Sequence, residues 1–255
     1  MVWDPQQYGR FAGERSRPFF DLVERIGASA PRRVADLGCG SGELTAQLAQ
    51  RWPSAQVDGI DSSPEMIAAA PPADRVTYRV GDVSSWTPPD DVEVIVSNAT
   101  LQWVPSHREL IPLWARALPT GGWIAFQVPG NFDSPSHTLL RSLAESRRWA
   151  SSLTGILRHG DAVASPTEYA GLLLSAGLTA DVWETTYVHV LSGDDPVLQW
   201  LRGTALRPVM AALPAASYGQ FEAELADQLR QAYPATSAGQ TLLPFRRIFA
   251  VGARA

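Results

Sequence analysis

Glycine recurs at alternate positions in Asp36-Leu37-Gly38-Cys39-Gly40-Ser41-Gly42, directly after an apolar run at 34–37. Glycine there lets the chain bend sharply and approach a ligand closely, and a helix that follows presents free backbone N–H groups. A nucleotide-type ligand suits such a turn. Dinucleotide sites space their glycines G-x-G-x-x-G, with the pyrophosphate resting on the helix N-terminus. The spacing here is G-x-G-x-G, and Asp36 stands two residues before the first glycine. That carboxylate would repel a pyrophosphate and attract an ammonium group. A second acid, Asp61, closes a strand pattern at Gly59-Ile60-Asp61, where an acid can accept both hydroxyls of a ribose. A third, Asp82, closes the next at Gly81-Asp82-Val83. The glycines alone would suit any tight strand-to-helix connection. Together with three strand-end acids they point to a positively charged nucleoside, with a dinucleotide site or a structural turn as the alternatives.

Elements able to position these groups are legible on both sides. Phe19, Leu22, Val23 and Ile26 fall on one face of a helix over 15–26, with Pro18 expected in its first turn. Strands are expected at 34–37, 56–60, 76–80, 92–97 and 123–128, with helices at 44–52, 64–70 and 110–118 between them. Ser63-Pro64 reads as an N-cap followed by proline at the first helical position. Strands alternating with helices imply right-handed βαβ units and a parallel sheet. The second half is less regular. Helices are expected at 138–149, 167–176, 197–206 and 218–231, and strand-like runs at 182–190 and 245–251. Ser165-Pro166-Thr167-Glu168 fits a capping box.

Read as one domain over 1–255, the chain divides into an N-terminal arm and helix at 1–30 and a cofactor-binding core at 31–130. Helical insertions at 131–178 and 192–243 form a lid, and strands at 181–190 and 245–253 close the sheet. At 45% hydrophobic and 18% charged residues the composition is that of a packed globular protein. A net charge of −5 gives no general attraction for phosphate backbones or anionic lipid, so neither nucleic acid nor membrane is an expected partner. All 21 cationic residues are arginine, a bias too general to mark an anion site. Cys39 is the single cysteine, and the four histidines show no ligand spacing, so neither a disulfide nor a metal site is expected. The N-terminus lacks a signal pattern and no apolar run approaches a membrane span, which makes a cytoplasmic location the default.

The glycine turn, Gly59-Ile60-Asp61-Ser62-Ser63-Pro64-Glu65-Met66 and Ser97-Asn98-Ala99-Thr100-Leu101-Gln102-Trp103 together resemble class I S-adenosylmethionine-dependent methyltransferases. Further matches make the chain similar to the trans-aconitate 2-methyltransferase family over nearly its full length. They are Trp3-Asp4-Pro5 with Tyr8 and Phe11, Glu14-Arg15-Ser16-Arg17-Pro18, and Thr185-Thr186-Tyr187 with His189. Gly203 with Leu206-Arg207-Pro208, and Phe245 with Arg247 and Phe249, complete them. The likeness is weakest over 134–162, and Arg246 stands where the family pattern has proline. The 98–103 motif is shared with malonyl-carrier-protein methyltransferases, which also esterify a free carboxylate.

The resemblance implies an α/β, Rossmann-like fold: a seven-stranded, mostly parallel sheet of order 3-2-1-4-5-7-6, helices on both faces and a helical lid. It implies S-adenosylmethionine as cofactor, bound by Asp36, Gly38, Cys39, Gly40 and Gly42, by Asp61, Ser62 and Met66, and by Asp82, Val83 and Asn98. Asp82 would face the adenine amino group. A small tricarboxylate, trans-aconitate above all, is the implied acceptor, with no obligate protein partner. Arg207, Arg247, His189 and Tyr187 are its candidate ligands, with Gln102, Trp103, Trp3, Tyr8 and Arg15. No general base is expected, because a carboxylate is ionised at neutral pH.

Overall fold

The molecule is described over residues 12–255 by a computed structural model. Strands β1 (Arg33–Leu37), β2 (Gln56–Asp61), β3 (Val76–Val80), β4 (Val94–Asn98) and β5 (Trp123–Pro129) run parallel. Strands β6 (Asp181–Leu191) and β7 (Thr241–Ala253) complete one sheet of order β3-β2-β1-β4-β5-β7-β6, with β7 antiparallel to both neighbours. This is the expected topology. Helices α1 (Ala12–Val23), α2 (Glu43–Arg51), α3 (Pro64–Ala68) and α4 (His107–Ala117) belong to the first half. Those of the second half are α5 (Pro135–Ala144), α6 (Ala150–Leu153), α7 (Pro166–Ser175), α8 (Pro196–Arg202), α9 (Arg207–Ala212) and α10 (Ala215–Ala232).

Both faces of the sheet are covered, which is why its strands read as continuous apolar runs. Neighbouring side chains point to opposite faces. Thus Ile95 joins Phe126, Trp114 and Tyr169 under α4 and α7, while Val94 and Val96 join Phe19, Leu22 and Leu48 under α1 and α2. Helix α1 runs from Ala12 at the latest, so Pro18 lies in its interior and not in its first turn. Pro18 leaves one turn without its hydrogen bond; burial of Phe19, Leu22 and Val23 holds the helix nonetheless. The helix stops at Val23, and Ile26 packs from the turn beyond it.

β6 and β7 pair over eleven residues, from Asp181↔Val251 to Leu191↔Thr241, whereas β5 ends where Pro129 meets Arg247. The two long strands therefore project past the carboxyl edge of the parallel strands as a free ribbon. One ribbon face carries His189, Leu191, Leu243 and Phe245, and a second core forms against it from α5, α6 and α8–α10. Leu206, Val209, Phe221 and Leu225 are fully buried there, and each such side chain contributes about 1.5–3 kcal/mol of burial.

Two expectations need correction. The helix expected at 138–149 runs instead from Pro135 to Ala144 as α5, and α6 starts at Ala150 after a turn. Trp149 turns inward between them, meets Phe221 edge-on at 5.4 Å and donates its indole N–H to Glu224 (3.2 Å). Helix α7, placed with the lid by the boundary at 178, packs instead on the sheet. Its Tyr169 is fully buried against Phe126 at 5.0 Å. The capping box at Ser165 and Glu168 is present as expected. Among the described residues no helix is long and apolar enough to cross a membrane.

The Tyr169 hydroxyl bonds His107 Nε2 (3.0 Å) and accepts from the Ala164 N–H (3.2 Å). Tyr169→Phe leaves both groups buried without it. It should cost about 1–3 kcal/mol of stability, seen as a lower urea midpoint with an unchanged slope.

Candidate functional site

The turn after β1 is built by two close approaches. Gly38 has φ +78, and a Cβ there would sit 1.9 Å from Thr100 Oγ1. Thr100 reaches back to the Gly38 carbonyl at 3.3 Å. The end of β4 thus presses on the end of β1, and only glycine fits between them. Gly38 and Cys39 donate to the Ile60 carbonyl at 2.7 and 3.0 Å, which ties the turn to β2. Gly40 also has positive φ, +56, but its missing side chain would point into open space. Tyr78 from β3 closes the far side by donating its hydroxyl to the Gly42 carbonyl (3.0 Å).

Asp36 is 3% exposed at the end of β1. Thr45 Oγ1 donates to it at 2.6 Å, and among the described residues no arginine pairs with it. Burial, only partly offset by the Thr45 bond, pushes its pKa up to about 6, and Asp61 adds repulsion. A buried carboxylate without a counter-ion is an uncompensated cost that a bound cation would relieve. Asp61 accepts from the Gly40 N–H and the Ser63 N–H, one on each oxygen and both at 2.9 Å. Its second lone pairs are what a ligand could reach. Ser63 caps α3 by accepting from the Met66 N–H, leaving Ser62 exposed on the rim and Met66 buried beneath.

Asp82 sits two residues beyond β3, exposed, at the head of a short 3-10 turn over Val83–Ser85. Its carboxylate accepts the Ser84 N–H at 2.8 Å, and that bond holds its pKa below the usual range. Val83 is buried in the sheet core. Cys39 is a thiol and not a thiolate: burial, then Asp36 and Asp61, drives its pKa far up. The residues expected to cradle a cofactor therefore stand at or just beyond the carboxyl ends of β1, β2 and β3, with Asn98 at the end of β4.

At the end of β4 the chain turns through Ala99, whose φ is +55. Gln102 supports that strained turn by donating its amide to the Ala99 carbonyl (2.5 Å), and among the described residues its Oε1 has no hydrogen-bond partner. This places Gln102 as a backbone brace. Gln127 of β5 donates to Asn98 Oδ1 (2.9 Å) and accepts from Arg247 Nη1 (3.2 Å). This relay fixes the Asn98 amide with its N–H groups facing away from Gln127.

Arg247 and Arg207 are both buried, 4% and 5% exposed, Arg247 over the Phe245 ring at 4.7 Å. Pairing with Pro129 puts Arg247 at the sheet's carboxyl edge, as expected, though inside β7 and not at its start. His189 lies four residues further out than Thr185, the residue opposite Arg247, or roughly 13 Å along the ribbon. Its ring stacks on Trp200 at 4.6 Å, an aromatic packing position. The Tyr187 hydroxyl donates to Asp21 of α1 (2.5 Å), with the Arg17 guanidinium 5.0 Å from its ring centroid. Trp3 and Tyr8 lie outside the described residues, as does the Arg15 side chain.

Several groups at the site carried no sequence signal strong enough to single them out. Thr45 acts through Asp36 across the glycine turn, and Tyr78 and Gln127 act through partners distant in the chain. Arg158, in the poorly matching stretch, lies flat on Trp103 with Cζ 3.3 Å from the ring centroid. Among the described residues no group of three or more His, Cys, Asp or Glu could hold a metal ion.

A methyltransferase-domain family matches residues 11–182. Solved structures share the fold. The YcgJ protein of Bacillus subtilis superimposes with a TM-score of 0.61 at 18% identity, over 95% of this chain and 99% of that one. Phosphoethanolamine N-methyltransferase 2 of Haemonchus contortus, in complex with S-adenosyl-L-methionine, gives 0.54 at 17% identity, over 94% of this chain and 53% of that one. Sheet order, glycine turn and strand-end acids thus define a class I, Rossmann-like methyltransferase. Trans-aconitate 2-methyltransferase of Rhodococcus jostii is 54% identical over 98% of each chain, and that of Streptomyces avermitilis 53% identical over 98% of this chain and 96% of its own. The chain belongs to the trans-aconitate 2-methyltransferase family.

Gly38→Ala should destabilise the fold by several kcal/mol or prevent folding, through strain and the Thr100 clash. Gly40→Ala, strained but unobstructed, should cost about 1 kcal/mol. Thermal melts of the pair test this. For Asp36 the folded pKa of about 6 exceeds the ordinary 3.8. The protein therefore loses stability as pH rises from about 4 to about 6, and the loss persists above. Asp36→Asn should gain on the order of 2 kcal/mol at pH 7.5, read as a raised Tm.

Proposed function

We propose that this protein methylates a carboxylate of trans-aconitate with S-adenosylmethionine, giving a monomethyl ester and S-adenosylhomocysteine. Relatives of that name match it at 51–54% identity across 98% of its length, and this full-length likeness carries the reading. The unpaired, buried Asp36 beside the glycine turn supports it independently. When bound, S-adenosylmethionine supplies an electrophilic methyl on a sulfonium: an O–CH3 bond forms as the S–CH3 bond breaks, its electron pair remaining on sulfur.

The chain's own residues bind and orient. Asp36 would hold the donor's ammonium, Asp61 its ribose hydroxyls and Asp82 its adenine edge. Gly38, Cys39, Gly40 and Gly42 line the turn, Ser62, Met66 and Val83 flank it, and the amide of Asn98 donates from the end of β4. No residue needs to take a proton, because a carboxylate with an ordinary pKa near 4 is already ionised. Transfer from sulfonium to carboxylate annihilates two charges, so a dry site favours it provided the reacting atoms are held in line. Arg207 and Arg247 hold carboxylates that do not react, since a bidentate clamp on the attacking oxygen would blunt it. Trp103 walls the donor side. The acceptor is a diffusible cytoplasmic acid, and nucleic acid, membrane and protein partners have no part in this reading.

Incubation with labelled donor and a panel of di- and tricarboxylates should yield a base-labile ester on trans-aconitate. Label confined to a malonyl carrier protein, or absent altogether, would overturn the assignment. Arg247→Met should raise the acceptor KM about 10- to 100-fold, the loss of a charged hydrogen bond. Calorimetry should find donor affinity within about twofold of wild type; equal loss of both affinities refutes the role given to Arg247.

A further inference from the structure

Arg158 belongs to none of the groups considered so far for the acceptor. It lies in the loop between α6 and a 3-10 turn at Gly160–Ala162. Its guanidinium is flat on Trp103, 5.6 Å from the Phe132 ring centroid, and donates through Nη1 to the Gln102 carbonyl (3.0 Å). Among the described residues that is its one hydrogen bond, and no carboxylate lies within ion-pair distance. Burial lowers its pKa to about 10, so it remains a cation at neutral pH. Beside it lies a small cleft, partly open to solvent and with about 20 Å3 of free space, whose lining includes Phe132, His137, Arg141, Arg158, Ala205 and Pro208.

The cleft is largely apolar, and the charged groups in its lining are both cations. Arg141 donates to the Phe132 carbonyl (2.8 Å), and His137 is kept neutral, its pKa down to about 4, by burial and by the charges of Arg141 and Arg158. Its lining contains two arginines and no acid. A half-buried guanidinium held in place by an indole face, with N–H groups to spare and no counter-anion, is poised to take an anion. The cleft also adjoins the reaction site. Gln102 and Trp103 belong to the turn that follows Thr100, and Thr100 is packed on Gly38. Pro208, which lines the cleft, follows Arg207 at the start of α9.

We infer that Arg158, set on Trp103 and flanked by Arg141, forms a carboxylate subsite that selects tricarboxylate over dicarboxylate acceptors. This rests on the proposed methyl transfer to a tricarboxylate for its substrate class, although the subsite is a binding site and can be read without turnover. Arg158 would hold a carboxylate that does not react.

The test uses the full-length enzyme with S-adenosylhomocysteine present. Trans-aconitate is compared with mesaconate and trans-glutaconate, each of which lacks one of its carboxyl groups. Arg158→Met retains the packing stem without the charge, and Arg158→Lys retains the charge without the planar stack. Arg158→Met should weaken calorimetric binding of trans-aconitate about 30- to 100-fold. The same variant should weaken at least one of the two dicarboxylates less than about threefold, and Arg158→Lys should fall between it and wild type. Donor binding and Tm, measured in parallel, should stay near wild-type values. An unchanged preference for trans-aconitate over both analogues, or equal loss for all three acids, overturns the subsite and makes Arg158 a packing residue for Trp103. Selective loss of binding in an enzyme that transfers no methyl group would uphold the subsite and overturn the proposed reaction. Absence of trans-aconitate binding in the wild type overturns both.

Discussion

A buried carboxylate that no arginine pairs with among the described residues sits at the end of the central strand, and much of the first half of the fold is arranged around it. Asp36 is almost fully enclosed, and the one bond that Thr45 donates offsets only part of its desolvation. Its neighbours could have supplied an arginine, a residue this chain uses freely. They supply instead a glycine turn so tight that Thr100 fills the place of a side chain on Gly38. The same turn delivers the Gly40 N–H to Asp61, so the two acids are held side by side at the mouths of β1 and β2. Such an arrangement is costly in the ligand-free protein and becomes favourable when a cation enters. Stability is given up where binding needs it.

The second organising feature is the ribbon. β6 and β7 outrun the parallel strands, and the exposed length becomes a wall against which a second core can form. That core is packed to full burial at Leu206, Phe221 and Leu225. It is therefore a fixed layer that presents Arg207 and borders the cleft from above. Arg247 enters from the sheet side, where the Gln127 relay connects it to Asn98. The two buried arginines thus come from separate elements, while the acids come from the strand ends. In the proposed reaction this division of charge would set acids toward a cationic donor and arginines toward an anionic acceptor.

Where sequence and structure part, the causes are specific. Pro18 looked like a helix start because proline favours the first turn, but α1 is already running at Ala12 and tolerates the lost bond through its buried face. The helix expected at 138–149 breaks because Trp149 finds a better place against Phe221 than along a straight helix. Helix α7 was grouped with the lid by its position in the chain and belongs to the sheet by its packing.

Residue spacing alone determined the alternating elements, the glycine turn and its acids, because these are encoded within a few neighbouring positions and read by backbone sterics and period. The tertiary structure decided what depends on distant parts of the chain. Arg158 bonds a carbonyl 56 residues away, and Arg247 a side chain 120 residues away. No local pattern specifies such meetings. They exist because burying the apolar faces of sheet, ribbon and helices leaves those groups only one place to be.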